Sequence, residues 1–472
     1  MCNRSSLFVR FMGEKKMRQK SFFGSKKFYK EALLIAVPIM TQALIQSLVS
    51  LVDSFMVAGL GDVKMSGVNI AGQILYIFMV LQSAVCTAGG IFLTQYCGAR
   101  DKNGMQQAFA FKVLISFLMS GLYFVVTMVI PRQILGLMVI GNLQAQQILD
   151  QGERYMFLMG FVGIPSIFSC IVATSYRETG KVKAPLVITI IATLINTFLN
   201  WVFIYGHLGA PRLEIQGAAY ATIIARLIEA LLFLGYVCKD KPDFWGISAF
   251  KKIDFGLFGR ILGKGWMIIA SQLLWVGSES IASAIYNGRG GADVVSGMSA
   301  SFTILNMIFI SFSGVNTATS VIIGKSLGAN KLEQAKDEER WLLSGAVVFG
   351  LCMSILCLSS RLLVPVVYEN LSLQAQFICK RMISSVAILI PLWIYNNAQL
   401  SALRAGGDTK ACMWVDGGVS ILTVMLLLIL AGYPAIGPVE MYFMAKGLDI
   451  GKVVIAHFRL KKGQWIRNLS VE

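Results

Sequence analysis

The chain contains very few of the side chains from which catalytic and metal centres are built. Only 2 histidines occur among 472 residues, and the 9 cysteines are scattered singly, without a Cys-x-x-Cys pair. Metal sites and redox dithiols need clusters of such ligands, and a Ser-His-Asp triad needs a histidine beside a nucleophile. No loop has the spacing of a nucleotide-binding P-loop. The sequence therefore predicts a protein that is not an enzyme, needs no cofactor and draws no energy from bound ATP.

Charge is also scarce, whereas long apolar runs are frequent. Charged residues make up 14% of the chain, hydrophobic residues make up 56%, and the mean hydropathy is +0.67. A run of about 20 apolar residues crosses the hydrocarbon core of a bilayer as a helix, and the alternation typical of barrel strands is absent. The fold class predicted is an all-α integral membrane protein. Its twelve spans are 33–57, 69–95, 109–130, 155–175, 184–205, 215–238, 263–286, 297–323, 341–366, 383–402, 411–432 and, less clearly, 436–457.

The second half of the chain repeats the first. Gly98-Ala99 returns 230 positions later as Gly328-Ala329, and Arg177 returns after 227 positions as Arg404. Each copy holds six of the predicted spans. Because six is an even number, the chain enters the second copy from the side of the membrane where it began, so the repeats are parallel. The architecture predicted is two parallel six-helix lobes.

Basic residues give the chain a net charge of +17, and their positions explain this excess. Nine of the 42 Lys and Arg fall in residues 1–30 and six fall between Lys239 and Lys264, whereas only Arg226 is expected within a span. Such an excess beside membrane spans is typical of cytoplasmic segments. We therefore expect both termini in the cytoplasm, a location in the cell membrane, contact with membrane lipid and no nucleic-acid partner.

The charge pattern and the spans together predict five segments. They are a basic cytoplasmic tail (1–30), an N-terminal six-helix lobe (31–238), a cytoplasmic linker (239–260), a C-terminal six-helix lobe (261–458) and a cytoplasmic C-terminal tail (459–472). We expect the chain to act as a monomer.

Asp53 is the leading candidate for function, because it lies within the first span. A carboxylate near the middle of the bilayer costs about 2.5–3.5 kcal/mol, so such groups usually serve a proton, an ion or a counter-charge. The alternative is that Asp53 lies near the outer surface, where water hydrates it. Its equivalent in the second repeat is Ser283, so the lobes differ chemically. Pro38 should bend the same helix, either as an ordinary kink or as a bend that moves Asp53.

Two amides in the fifth span are candidate partners of this acid. Asn196 and Asn200 are four residues apart, so they share one face of a helix. With a carboxylate and the hydroxyl of Thr222, their oxygens would form a reasonable set of ligands for Na⁺. The alternative for the asparagines is hydrogen bonding between helices, and for Thr222 it is packing.

The remaining charged residues of the spans allow two interpretations. Arg226 and Glu229, three residues apart on the sixth span, can neutralise each other, and presentation of charge to a substrate is the alternative. Glu279 on the seventh span is read as the only acid well inside a clearly apolar second-lobe span, which makes it a second candidate for a proton or a substrate cation. Asp449, in the weakly apolar twelfth segment, is expected to be exposed or paired.

Several of these positions lie in motifs that resemble the multidrug and toxic compound extrusion (MATE) transporters of the prokaryotic type. The resemblance runs from residue 31 to about residue 470. Its motifs are Val52-Asp53-Ser54, Gln95–Asp101, Tyr205-Gly206, Gly217–Thr222, Leu403–Thr409 and the basic end Phe458–Trp465.

The resemblance implies two lobes around a central cleft that opens alternately to either side of the membrane. It implies export of cationic or amphipathic small molecules, driven by inward Na⁺ or H⁺. It matches Asp53 to the acid of the first helix, Asn196 and Thr222 to polar residues of the fifth and sixth helices, and Pro38 to the proline of a bend. Asn200 stands where some members have a second aspartate.

For the second lobe, the resemblance offers Glu279 or Gln272 for an acid of the seventh helix. It finds no acid in the matching region of the tenth helix. The function expected is therefore an antiporter coupled through its first lobe, with Na⁺ bound at Asp53 if Na⁺ is the coupling ion. The alternative is a flippase for a lipid-linked sugar precursor, which would need a markedly basic cleft.

Overall fold

The computed structural model describes residues 21–139, 144–246, 250, 252–288, 291–433 and 435–471, and within these ranges it contains helices but no strand. Most of the predicted basic tail, together with parts of the linker, therefore lies outside the described residues. The helices of the first half are α1 (Lys26–Ala58), α2 (Asp62–Ala99), α3 (Lys102–Phe124), α4 (Pro131–Gly136), α5 (Ala145–Met159), α6 (Gly163–Glu178), α7 (Lys183–Tyr205) and α8 (Glu214–Asp240).

The second half follows the same order. Short π-helical or 3₁₀ turns at Val125–Val129, Gly160–Val162 and Ser360–Leu363 extend or join neighbouring helices. The helices are α9 (Phe255–Asn287), α10 (Ala292–Gly328), α11 (Leu332–Ser359), α12 (Val364–Val367), α13 (Leu373–Ala405), α14 (Thr409–Ala431), α15 (Pro438–Gly447) and α16 (Asp449–Lys461).

Among the described residues, eleven helical segments are long and apolar enough to cross a membrane. They correspond to the first eleven predicted spans, which confirms the all-α membrane fold. The predicted span 436–457 differs, because it consists of the two short helices α15 and α16. Three charged side chains, Lys446, Asp449 and Lys452, lie around their junction. Lys446 pairs with α9 and Lys452 with α14, so this segment lacks the uniformly apolar surface of a lipid-facing span.

The two lobes meet through a reciprocal contact between the ends of α2 and α10. A Cβ atom at Gly98 would lie 2.1 Å from the backbone oxygen of Lys325, and one at Gly328 would lie 1.8 Å from the backbone oxygen of Gln95. Both pairs are related by the 230-residue repeat. Only glycine allows the backbones to approach so closely, so the same residue type at both positions forms a pseudo-twofold contact.

Hydrogen bonds between the lobes lie at this same end. Gln95 donates to the backbone oxygen of Ala405 at 2.7 Å, and Lys325 donates to that of Thr179 at 2.8 Å. The backbone N–H of Leu469 donates to Gln95 at 2.6 Å. Leu469 lies in the core of the first lobe and Trp465 in that of the second, so the C-terminal segment packs across both lobes.

Candidate ion and substrate site

Asp53 lies where α1 packs against α7. Nδ2 of Asn200, which lies on α7, donates a hydrogen bond of 2.8 Å to Oδ1 of Asp53. Asn200 is 3% exposed, and its own Oδ1 is buried without a hydrogen-bond partner. The carboxylate is thus held by one neutral amide, and an unsatisfied amide oxygen belongs to the same pair. Both oxygen types are ligands for a hard cation.

The second amide of α7 connects this pair to α8. Asn196 lies one turn before Asn200, and its Nδ2 donates to Oγ1 of Thr222 at 3.4 Å. Thr222 in turn donates to the backbone oxygen of Ala218 at 2.9 Å. The structure therefore brings Asp53, Asn196, Asn200 and Thr222 together, as the sequence predicts. Their role in ion coupling stays a prediction.

Two adjoining cavities run along these residues. The outer cavity has a volume of about 230 Å³, and Asp53, Asn196, Thr222 and Tyr155 are among the residues that line it. The inner cavity has a volume of about 340 Å³, and it shares Gln46, Met159, Thr222 and Arg226 with the outer one. Together they form an internal chamber of the first lobe, which begins at Asp53 and continues towards the interlobe contact.

The ligands around Asp53 suit an ion of low charge. A single carboxylate faces neutral oxygens there and Arg226 lies on the wall of the same cavity, whereas the described residues contain no cluster of three His, Cys, Asp or Glu side chains able to hold a metal. A divalent cation usually needs more negative charge from its ligands than one carboxylate supplies. Binding of a proton or a monovalent cation at Asp53 stays a prediction.

In the part of the chain that the structure describes, the first lobe contains two buried ion pairs, of which one lines the inner cavity and is predicted from the sequence. Arg226 donates to Glu229 at 2.7 Å, which is the pair expected from their spacing. Lys112 is completely buried and pairs with Glu178. The expectation that Arg226 is the only basic residue within a span is therefore wrong, because α3 carries Lys112 into the lobe. The signal that could have found it is Gly89-Gly90 of α2, whose missing side chains leave room for this pair.

The two second-lobe candidates, Glu279 and Gln272, lie apart on α9. Glu279 of α9 forms an ion pair with Lys446 of α15, close to the ring of Tyr442. Gln272 lies two turns earlier on α9 and is half-buried, so the structure does not bring it to Glu279. Neither residue lines the chamber of the first lobe. Their role in coupling or substrate binding stays a prediction.

Glu279 is not the only acid well inside an apolar second-lobe span. Asp416 lies on α14 and accepts a hydrogen bond of 2.9 Å from Lys452, which also contacts Asp449 at 3.1 Å. Trp393 donates to Asp449 at 2.8 Å. Asp449 is therefore paired, which is one of the two outcomes expected from the sequence. The signal that identifies Asp416 is the one that identified Asp53, a single acid within an apolar run, here 411–432.

Pro38 lies inside α1, which continues through it from Lys26 to Ala58. Nearby, α1 approaches α10 closely, because a Cβ atom at Gly314 would lie 2.9 Å from the backbone oxygen of Ala36. The proline therefore lies next to a contact between the lobes. Whether its ring moves Asp53 stays a prediction.

The MatE family model matches residues 38–202 and 268–430, which is one match in each lobe. The chain belongs to the MatE family. Its two matches repeat the internal duplication and cover Asp53, Asn196 and Asn200 in the first lobe. As a member of this family, the protein is a multi-pass membrane transporter and not an enzyme.

Curated MatE relatives span most of the chain. It is 22% identical over 462 residues to the probable multidrug resistance protein NorM of Pasteurella multocida, covering 93% of each chain. It is 25% identical to the probable multidrug resistance protein YoeA of Bacillus subtilis, covering 80% of this chain and 81% of that one. A crystal structure of a mutant of the Vibrio cholerae MATE transporter VcmN has a TM-score of 0.82 at 15% identity, covering 93% of this chain and 99% of that one. The twelve-helix, two-lobe fold is thereby confirmed.

Proposed function

We propose that this protein is a secondary active antiporter that exports cationic or amphipathic small molecules in exchange for Na⁺ or H⁺. The observation that carries this proposal is the pairing of Asp53 with Asn200 beside an internal chamber. The named relatives are multidrug resistance proteins, which supports small-molecule export as the task. The chain has no nucleotide-binding motif, so an ion gradient is the energy source that fits it.

Coupling needs a site whose occupancy changes the preferred arrangement of the lobes. Asp53 fits this role because its charge depends on whether it holds a proton, and its hydrogen bond to Asn200 crosses from α1 to α7. Helix α1 also contacts α10 of the other lobe through Ala36. A change at Asp53 would therefore act on a helix that belongs to both the ion site and the contact between lobes.

The interlobe contact supports alternating access. With cytoplasmic termini, the ends of α2 and α10 lie on the cytoplasmic side, so the Gly98 and Gly328 contact closes the central cleft there. Rotation of one lobe against the other about the pseudo-twofold axis would separate both glycine contacts at once. We propose that this movement opens the cleft to the cytoplasm. The protein would act as a monomer in the cell membrane, surrounded by lipid.

The test is dye efflux from proteoliposomes with Na⁺ and pH gradients imposed separately. Wild-type protein should export a cationic dye when one of the two gradients is present, and an ionophore that collapses this gradient should stop export. Saturation with rising dye concentration separates a transporter from a passive channel. Equal dye flux with and without either gradient would overturn the proposal.

The flippase alternative fits the second lobe poorly. It would need free basic groups for a diphosphate, but Lys446 and Lys452 are each paired with carboxylates. Pairing lowers the positive potential that an anionic headgroup would meet. Drug export therefore remains the function that the geometry supports best.

A further inference from the structure

The strap, defined as residues 465–471, follows α16 and is anchored in the second lobe at Trp465. This indole is 1% exposed, lies in the hydrophobic core of the second lobe, and donates from Nε1 to the backbone oxygen of Leu460 at 3.1 Å. At Gly406, which follows α13, an added Cβ atom would lie 1.7 Å from the backbone oxygen of Trp465. Asn468 donates to the backbone oxygen of Gly328 at 3.4 Å. The strap is therefore tied to the second lobe by packing and by hydrogen bonds.

The far end of the strap enters the first lobe. Leu469 is buried and lies in the hydrophobic cluster of the first lobe. Its side chain also approaches the second lobe, because a Cβ atom at Gly407 would lie 2.9 Å from its Cδ1. Leu469 thus fills the junction of the lobes, and it cannot keep both contacts when the lobes separate at this end.

Gln95 of α2 holds the strap against the first lobe. Its side chain is completely buried, and its Oε1 accepts a hydrogen bond of 2.6 Å from the backbone N–H of Leu469. Its Nε2 donates to the backbone oxygen of Arg467 at 3.3 Å and to that of Ala405, the last residue of α13, at 2.7 Å. One glutamine of the first lobe thus bonds to the second lobe directly and also through the strap.

The equivalent residue of the second repeat forms a direct contact of the same kind but has no acceptor. Lys325 donates to the backbone oxygen of Thr179, next to the end of α6, at 2.8 Å. A lysine side chain carries donors only, so it could not receive a backbone N–H as Gln95 does. The strap therefore adds to the contact between the lobes a part that the pseudo-twofold symmetry does not repeat.

We propose that the strap holds the cytoplasmic gate closed, the gate being the contact between the ends of α2 and α10. Gln95 and Leu469 must part before the cleft opens to the cytoplasm, whereas Trp465 keeps the strap on the second lobe. Water can replace the bonds of Gln95 once the gate is open, so these bonds favour the closed arrangement without making it permanent. This inference rests on the proposed alternating access and gives Gln95 a positioning role in it.

Hydrogen exchange of the full-length protein in detergent, measured by mass spectrometry, tests this role without a substrate or a gradient. The gate is followed in Val85–Ala99 of α2 and Val315–Gly328 of α10, and Ala387–Ala398 in the core of α13 reports the fold. Leu469→Asp should raise the exchange rate of both gate helices about tenfold or more, because a carboxylate is costly in an apolar cluster without a partner. Exchange in the core of α13 should change less than about twofold.

The matched control is Val471→Asp, which places the same charge on the strap at a side chain that is 80% exposed. It should leave exchange in all three regions unchanged.

Two milder variants test the strap even if the aspartate variant fails to fold. Leu469→Ala removes the apolar contact without adding a charge and should raise exchange of the gate helices about threefold. Gln95→Met removes the hydrogen bonds at a similar side-chain volume and should change exchange in the same direction.

Four results would overturn the inference. They are unchanged exchange of the gate helices in both Leu469 variants, faster exchange confined to the strap itself, equal acceleration in the core of α13 in both variants, and an equal effect of Val471→Asp. Because exchange needs no transport, the result can be read even if gradient-driven efflux fails and the proposed function falls.

Discussion

The two lobes share a fold but differ in what lies at equivalent positions. The repeat relates Asp53 to Ser283, Asn196 to Thr423 and Asn200 to Leu427. In the first lobe these residues border a chamber, whereas Leu427 is fully buried in the core of the second lobe. The acid and the amide that pair in the first lobe are therefore both missing from the second.

The charged residues of the two lobes also differ in their partners. Second-lobe charges near the middle of the helices form compact pairs, as in Lys452 with Asp416 and Asp449. First-lobe charges include Asp53 and Arg177, which are hydrogen-bonded to the neutral amides of Asn200 and Gln42. Paired charges stabilise one arrangement, whereas a charge with a neutral partner responds to an ion or a ligand. The two repeats thus share a scaffold and differ in the partners of some of their charges.

The largest difference between the lobes should appear at the Asp53 and Ser283 pair. We expect Asp53→Asn to reduce gradient-driven dye efflux to background, because the amide cannot bind a proton or supply a charge. Ser283→Ala should leave efflux within about twofold of wild type, since an exposed hydroxyl contributes little. Proteoliposome efflux at matched protein amounts measures both. Normal efflux by the Asp53 variant would remove the proposed difference between lobes.

Removal of Lys452 tests whether the second-lobe charges are structural. Lys452→Met leaves Asp416 and Asp449 buried without their counter-charge, which should lower the free energy of unfolding by about 3–5 kcal/mol. Thermal unfolding in detergent measures the change, with Lys462→Met as the control at an exposed lysine. Efflux per folded molecule should be retained. A stable variant that has lost transport would show that the second lobe takes part in the chemistry.

The interlobe glycines should behave alike, because here the lobes are equivalent. Gly98→Ala and Gly328→Ala each place a Cβ atom against a backbone oxygen, and we expect each to destabilise the observed arrangement by about 1–3 kcal/mol. Gly72→Ala is the control within α2, since its Cβ would meet no atom within 4 Å. That change should stabilise the helix slightly. A large effect at only one interlobe glycine would contradict the pseudo-twofold contact.

The smallest effect is expected at Asn196. Its hydrogen bond to Thr222 is long, at 3.4 Å, and bonds between membrane helices contribute about 0.6 kcal/mol on average. Asn196→Ala should therefore raise the half-saturating concentration of the coupling ion about threefold. Thr423→Ala, the change at the equivalent position of the second lobe, should leave it unaltered. Efflux rates over a series of ion concentrations decide between these outcomes, and an equal effect of both substitutions would count against a first-lobe site.

Periodicity and spacing predicted the candidate site well where residues lie on one helix. The four-residue spacing of Asn196 and Asn200 placed both amides on the same face, and the three-residue spacing of Arg226 and Glu229 predicted their ion pair. The hydrogen bonds of Asn200 to Asp53 and of Asn196 to Thr222 join three helices. No spacing within one helix specifies such neighbours. The resemblance to a known family supplied that link.

Buried charges were the hardest feature to predict. Lys112 is the fourth residue of the predicted span 109–130 and looks like a continuation of the basic loop before it, yet it packs against glycines and pairs with Glu178. Asp416 lies in an apolar run and finds its partner Lys452 on a helix 36 residues away. A charge is tolerated in such places only through a partner, and the partner is chosen by packing.

The sequence by itself determined the membrane class, eleven of the twelve spans and the duplication into two lobes. These follow from the length of apolar runs and from repetition, because a helix in lipid must satisfy its backbone within one segment. Only the tertiary structure decided that the last span divides into two helices, that Arg177 lacks an acidic partner and that Asp53 borders a chamber. Each depends on which helices pack together, and the energy of a buried charge is set by the neighbours that packing brings to it.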